Sequence, residues 1–333
     1  MPTLLITGVA GFIGSHLLAH ALKLGYRVVG VDNLLTGKLE NIDDAIRSIS
    51  ADDEQFQAYR KNLDFHIDDI RDKNAMIRYA EGVKAILHQA AIGSVPWSID
   101  DPFLTHETNL TGFLNVLNAA KIHRLQRIVY ASSSAVYGDA PAPSAKEGVE
   151  GNALSPYAAS KRAQEIYAQA WARSYNLQII GLRYFNVFGS RQNPDGAYAA
   201  VIPKWIRALK SGQPCTIYGD GSATRDYCHV QNIVHANFLA LQANPTTAPF
   251  SETFNIGCGQ QTSLNDLYAE ITAFLKTHTA ISMMPPQYRP QRPGDIPFSC
   301  ADIQSAKQYL GYTPIVSVKD GLRQLLNETF SKS

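Results

Sequence analysis

Three glycines, Gly8, Gly11 and Gly14, stand at even spacing between the apolar run TLLIT and a stretch with helical periodicity. Leu4, Leu5 and Ile6 form a continuous apolar block closed by glycine, which predicts a short buried strand. From Phe12 to Leu24 apolar residues recur at helical spacing, Gly25 ends the helix, and RVVGVD predicts a second buried strand. Strand, glycine turn, helix and strand make one βαβ unit, whose crossover is right-handed. In such a unit Gly8 permits a tight turn and Gly11 lets backbone N–H groups approach a pyrophosphate. Gly14 lets the helix close on the strand. The helix N-terminus adds unsatisfied donors and partial positive charge. Asp32, 18 positions beyond Gly14, ends the second strand where a carboxylate bonds ribose hydroxyls and repels a 2′-phosphate. The pattern is GxxGxxG rather than GxGxxG, and with its flanking elements it predicts a site for NAD rather than NADP.

The same rhythm continues along the chain. KAILHQAA, RIVYASSS and LQIIGLRYFNVFG predict further strands, separated by helix-like segments around 103–123 and 157–175. Strands alternating with helices specify an α/β fold, a Rossmann-type doubly wound parallel sheet. Ligands of such sheets sit beyond the carboxyl ends of the strands, where Gly8, Ala90, Ala91, Ser133 and Asn186 belong. A net charge of +1 gives no reason to expect nucleic acid or an acidic membrane as partner. No stretch approaches the roughly 18 apolar residues of a membrane span. The four cysteines, Cys215, Cys228, Cys258 and Cys300, are scattered without metal-ligand spacing. They read as reduced thiols of a cytoplasmic protein that holds no metal.

Two local motifs carry the expected chemistry. ASSSAVYG ends a strand with the hydroxyl cluster Ser132, Ser133 and Ser134, and SPYAASK sets Tyr157 and Lys161 four apart. With Ser155 as cap and Pro156 in the first turn, both side chains fall on one face of a helix, one turn apart. A phenol with pKa about 10 is a poor base at neutral pH. A fixed ammonium beside it, together with the positive nicotinamide ring of oxidised NAD, is expected to favour the phenolate. Tyr157 could then take a proton from a substrate hydroxyl while hydride leaves the same carbon.

GVAGFIG, Asp32, the serine cluster and YAASK together resemble the extended short-chain dehydrogenase/reductase family. RYFNVFG, IYGDGSATRDYCHV and RPGD extend the likeness over nearly the whole chain. The combination most resembles the UDP-hexose 4-epimerases, particularly the branch acting on N-acetylated sugars. The resemblance implies that Ser133 bonds the sugar C4 oxygen, Tyr157 is the acid/base, and Lys161 holds the nicotinamide ribose. It assigns cofactor contacts to Gly8, Gly11, Phe12, Ile13, Gly14, Asp32, Asn33, Gly37, Asp69, Ile70, Ala90, Ala91, Asn109, Ser132 and Tyr184. Asn186, Val201, Tyr218, Arg225, Arg292 and Asp295 would hold the nucleotide-sugar, with Ser94, Val95 and Ser134 near the hexose. The implied cycle oxidises C4, turns the 4-keto sugar about its link to the diphosphate, and returns the hydride to the other face. Net redox is zero. The 4,6-dehydratases carry an Asp–Glu pair after the strand-end hydroxyl, and the decarboxylases generally a glutamate; Ser134 and Ala135 stand there in this chain. A 4-epimerase for a uronic acid sugar stays open as the alternative.

A position just after RPGD lines the pocket beside C2 in the resembled family, where tyrosine excludes N-acetyl groups and a small residue admits them. Here it is Ser299, so UDP-GlcNAc and UDP-GalNAc are the expected substrates. Trp97, in GSVPWSIDDP, stands where a basic residue is expected and reads as a half-buried anchor of its loop. The polar segment 40–63 reads as a solvated helical excursion without a contact role. The expected division is a NAD-binding domain, 1–186 rejoined by about 226–257, and a smaller C-terminal α/β substrate domain, 187–225 with 258–333. The resemblance further implies a homodimer through a four-helix bundle built from the helices near 103–123 and 157–175.

Overall fold

A computed structural model of the protein describes residues 1–125, 127–140, 144–195, 199–244, 250–278, 284–291 and 298–330. The first half alternates β1 (Thr3–Thr7), α1 (Phe12–Lys23), β2 (Arg27–Asp32), α2 (Leu39–Arg47), α3 (Asp53–Arg60), β3 (Leu63–Ile67), α4 (Lys73–Tyr79) and β4 (Ala85–His88). Next come α5 (Val95–Asp100), α6 (Pro102–His106), α7 (Gly112–Ile122), β5 (Arg127–Ser133), α8 (Pro156–Tyr175), β6 (Gln178–Tyr184) and β7 (Val187–Phe188). The remainder holds α9 (Val201–Lys210), β8 (Thr216–Tyr218), β9 (Thr224–Arg225), β10 (Cys228–His229), α10 (Val230–Gln242), β11 (Phe250–Ile256) and β12 (Thr262–Ser263). It closes with α11 (Leu264–His278), β13 (Gln287–Arg289), α12 (Gln304–Leu310) and α13 (Val318–Phe330).

Seven strands form one sheet in the order β11-β6-β5-β4-β1-β2-β3, and every pairing within it is parallel. The order reverses between β1 and β4, the switch point where such sheets open a ligand crevice. Leu4 and Ile6 pack into one core with α1, α2 and α10, while Leu5 packs into the other with Phe113, Val116 and Leu117 of α7. The period-two alternation of a single strand thereby feeds both faces. Two edge strands have no unbroken apolar run. LDFHI of β3 is mostly half-exposed, and FSETFNI of β11 is buried only at its last three residues.

The helix expected over 103–123 is interrupted. Between α6 and α7 the backbone opens into one wide π turn, Glu107–Thr111, whose Asn109 is fully buried. The excursion after β2 also differs from expectation, because α2 is fixed to the nucleotide loop. Ile42 and Ile46 are buried in the core beside α1, and Asn41 Nδ2 donates to the Ala10 carbonyl at 2.8 Å. A third cluster, made by α9, β8, α11 and α13, encloses Trp205, Ile217, Leu267, Ile271 and Leu325. No helix among the described residues is long and apolar enough to cross a membrane.

Candidate active site

The turn after β1 leaves no room for side chains. A Cβ on Gly8, at φ +71°, would lie 2.6 Å from the Ala90 nitrogen, and one on Gly14 would collide with the Gly8 carbonyl oxygen. α1 begins at Gly11 with no side-chain cap, so its first N–H groups face the cleft. Asp32 accepts from Ala10 N and Leu34 N, both at 2.9 Å, and keeps further lone pairs for ribose hydroxyls. Burial raises its carboxyl above the usual range, against those backbone bonds. An uncapped helix start over a glycine cradle, with a carboxylate at the next strand end, fits NAD.

Gly8, Gly11, Gly14 and Asp32 line a cavity of about 590 Å³ with Phe12, Ile13, Asn33, Ile70, Ala90, Ala91, Ser94, Ser132, Ser133, Tyr157, Lys161, Tyr184 and Asn186. An adjoining cavity of about 690 Å³ shares Asn186, Val187, Ala199 and Ala200 with it, and is lined by Val201, Tyr218, Arg225 and Phe298. Six expected residues stand off these walls. Gly37 abuts the Asp32 carboxylate, where a Cβ would come within 2.8 Å of Oδ1. Asp69 accepts from Asn33 and Arg71. Asn109 clamps the loop after β4, accepting from Ile92 N at 2.8 Å and donating to Ile92 O and to Ser160 Oγ. Val95 and Ser134 open a short helix and a 3₁₀ turn. Ser299 is half-buried, its amide bonded to the Thr224 carbonyl at 3.2 Å, and it is not among the described wall residues. Arg292 and Asp295 lie outside the described residues.

Wall residues that sequence reasoning missed include Gln89, Gln192, Asn193 and Asp195. Gln89 Oε1 accepts from Tyr184 Oη at 3.2 Å. Trp97, expected to be an anchor, also lines the cofactor cavity. Its loop is joined to the catalytic helix, since Ser98 Oγ accepts from Tyr157 N at 3.0 Å.

Ser155 caps α8 by accepting from Ala158 N at 3.1 Å, and Pro156 starts it, so Tyr157 and Lys161 project from one face. Lys161 is 2% exposed, donates to the Ala131 carbonyl at 2.8 Å, and lies 6.0 Å from the Tyr157 ring centre. The expectation of an acidic phenol concerns the site with oxidised NAD bound; in the chain alone the balance is set by burial. Burial pushes the Tyr157 phenol up, and the opposing influence is a hydrogen bond from Ser133. Burial also drives Lys161 down to about 7, against the support of the Glu165 carboxylate one turn further on.

Glu165 heads a buried ionic cluster. Its carboxylate accepts from Ser132 Oγ at 2.7 Å, from Arg183 Nε and Nη2 at 2.8 and 2.7 Å, and from Arg162 at 2.9 Å. Arg183 reaches Glu150 at 2.6 Å and donates to Tyr137 Oη at 2.8 Å. Tyr137 in turn donates to Asn255 Oδ1 at 2.7 Å. Ser132 therefore spends its hydroxyl on Glu165. Among the described residues no cluster of three or more His, Cys, Asp or Glu could hold a metal ion.

The Lys161 shift has a pH signature. Its folded pKa lies below the unfolded value of about 10.4, so the cost of burying the ammonium is full below about 7 and is relieved as pH rises toward 10. Lys161→Met removes that cost. Its stability relative to the parent, measured by urea unfolding, should drop by about 2 kcal/mol between pH 6 and pH 9. A gap that does not change with pH would place the lysine proton elsewhere.

Residues 4–257 match the model of the NAD dependent epimerase/dehydratase family. The UDP-glucose 4-epimerase of Mycolicibacterium smegmatis is 34% identical over 331 residues, 99% of each chain. The UDP-glucuronate 4-epimerase of Thermodesulfobacterium geofontis is 30% identical and covers 97% of this chain and 94% of its own. Among solved structures, a UDP-N-acetylglucosamine 4-epimerase from Methanobrevibacter ruminantium M1, in complex with UDP-N-acetylmuramic acid, superposes with a TM-score of 0.88. It is 32% identical and covers 100% of this chain and 99% of its own. The chain belongs to the NAD-dependent epimerase/dehydratase family of extended short-chain dehydrogenase/reductases, among its UDP-sugar 4-epimerases, and its cofactor is NAD.

Proposed function

We propose that the protein interconverts UDP-GlcNAc and UDP-GalNAc by inverting C4, with UDP-glucose and UDP-galactose as further substrates. The observation that carries a neutral hexose is the charge of the cleft. Its described walls hold three carboxylates, Asp32, Asp68 and Asp195, and a single cation, the buried Lys161. A uronate carboxylate at C6 would find no guanidinium among the described walls of this cavity. The N-acetylated part of this reading rests on the family resemblance, which puts the small Ser299 beside C2; its neighbour Phe298 lines the substrate cavity.

In this reading Tyr157 takes the proton of the 4-hydroxyl while Ser133 bonds the C4 oxygen. NAD, when bound, accepts the C4 hydride and gives it back. Lys161 holds the nicotinamide ribose from the end of β5, where its Nζ donates to the Ala131 carbonyl. The nucleotide is anchored by Val201, Tyr218 and Arg225, with Arg292 and Asp295 as further proposed contacts. An arginine fork suits diphosphate oxygens. The sugar-facing walls are small (Gly93, Ala199, Ala200) and let the 4-keto hexose turn over while the nucleotide stays fixed.

We assign 1–186 with about 226–257 to the cofactor domain, and 187–225 with 258–333 to the substrate domain. The cytoplasm suits four unpaired cysteines. A homodimer is supported by the outer face of α5, α6 and α8, where Phe103 is 81% exposed, Ile99 61% and Ile166 59%. Large apolar side chains this exposed on three neighbouring helices are expected to be covered, here by a second copy.

Three experiments test this. Chromatography of UDP-GalNAc incubated with enzyme and NAD should show UDP-GlcNAc accumulating; Tyr157→Phe should still bind NAD and lose at least a thousandfold in kcat. Retained turnover in that variant would exclude Tyr157 as the base. Ser299→Tyr should suppress the N-acetylated substrates and spare UDP-galactose, and equal loss of both would remove the gatekeeper. Phe103→Asp should sediment as a monomer where the parent sediments as a dimer; unchanged sedimentation would disprove the interface.

A further inference from the structure

A third cavity is larger than either of the two described above. About 1070 Å³ in volume, it opens on the other side of the segment that follows β7, between α1 and α2 on one flank and α9 and α13 on the other. Its walls carry five cations, Lys23, Arg47, Arg191, Arg207 and Lys210, against two carboxylates, Asp44 and Glu328. Arg207 is paired with Asp195, and Arg47 lies 3.6 Å from Asp53. His16 and His229, also on the walls, are pushed down to about 3 and about 4 by burial, so they stand there as neutral rings.

Arg191 is the unusual member. It is a non-glycine residue held in the left-handed region at φ 63°, a conformation that persists only where the surroundings impose it. Its guanidinium is half-buried. Nε donates to Ser15 Oγ at 2.9 Å, and the two terminal nitrogens have no partner among the described residues. The acids that influence it, Glu328 and Asp44, stand beyond ion-pair distance, and burial disfavours its charge. A partly desolvated guanidinium with its fork unused, in a cavity of positive balance, lacks a counter-anion.

We propose that this rear cavity binds a phosphate-bearing small molecule, with Arg191 gripping the phosphate and Lys23 and Lys210 adding charge at the mouth. The volume suits a nucleotide-sized ligand rather than a lone ion. The site also reaches the catalytic cleft through one short segment. Gln192, next to Arg191, lines both cavities, and its buried Oε1 has no hydrogen-bond partner. Ser190 accepts from His16 of α1 at 2.9 Å, so the segment is also tied to the helix that receives the pyrophosphate of the cofactor.

Calorimetric titration of pyrophosphate into enzyme saturated with both NAD and UDP tests the site while the front cleft is filled. Binding to one site per chain is expected, weakened at least tenfold in Arg191→Gln. The exposed pair Lys23→Ala and Lys210→Ala should weaken it severalfold without touching the core, and it decides the matter if Arg191→Gln does not fold by circular dichroism. Absence of binding, or binding indifferent to these substitutions, would overturn the proposal.

Discussion

Glu165 is a carboxylate almost without water, and the catalytic end of the sheet is arranged around satisfying it. An isolated charge at that depth would cost several kcal/mol, so its partners are obligatory. They come from three directions: Arg162 on its own helix, Ser132 on β5 and Arg183 on β6. Arg183 passes the demand on to Glu150 and Tyr137, and Tyr137 to Asn255 on β11. Asn255 then bonds the carbonyls of Ala145 and Asp302 at 2.9 and 3.0 Å. One buried charge thus registers the helix bearing Tyr157 and Lys161 against the strand bearing Ser133, and both against the segment carrying Ser299. The same charge supports the Lys161 ammonium, which burial would otherwise drive lower still.

The nucleotide half of the site was legible in the sequence because its signals are local. Gly11 and Gly14 answer to a steric demand set within one βαβ unit, Gly8 to a positive φ in the same turn as well as to the loop after β4, and the Tyr157–Lys161 pair needs only one helical turn to share a face. The strands β1, β2, β4, β5 and β6 were readable as apolar runs. β3 and β11 were not, since edge positions leave half of their side chains toward water and erase the run. Gln89 and Gln192 escaped for a related reason. A polar side chain that faces a cleft from a turn has no period and no motif, and only the fold brings it to the wall.

Other residues act from behind the cavity wall, where a sequence motif does not show what they touch. Asn109 belongs to the site by position, yet it works on the backbone of Ile92 rather than on the cavity. Asn41 lies in a segment whose charge density suggests idle surface, but its side chain braces the Ala10 carbonyl under the glycine turn. The acidity of Tyr157 is a subtler case. Spacing puts a cation nearby, but only burial tells how much both groups lose by leaving water, and here burial disfavours the charged form of each.

The wide turn at Glu107–Thr111 constrains how this chain can change over time. Deleting one residue there would close the helix into regular geometry and rotate everything after it by about 100°. Phe113, Val116 and Leu117 would swing off the sheet, and Gln164 would lose the Asn109 carbonyl to which it donates. The extra residue therefore cannot be removed alone, since the face of α7 that packs on the sheet would have to be rebuilt in the same step.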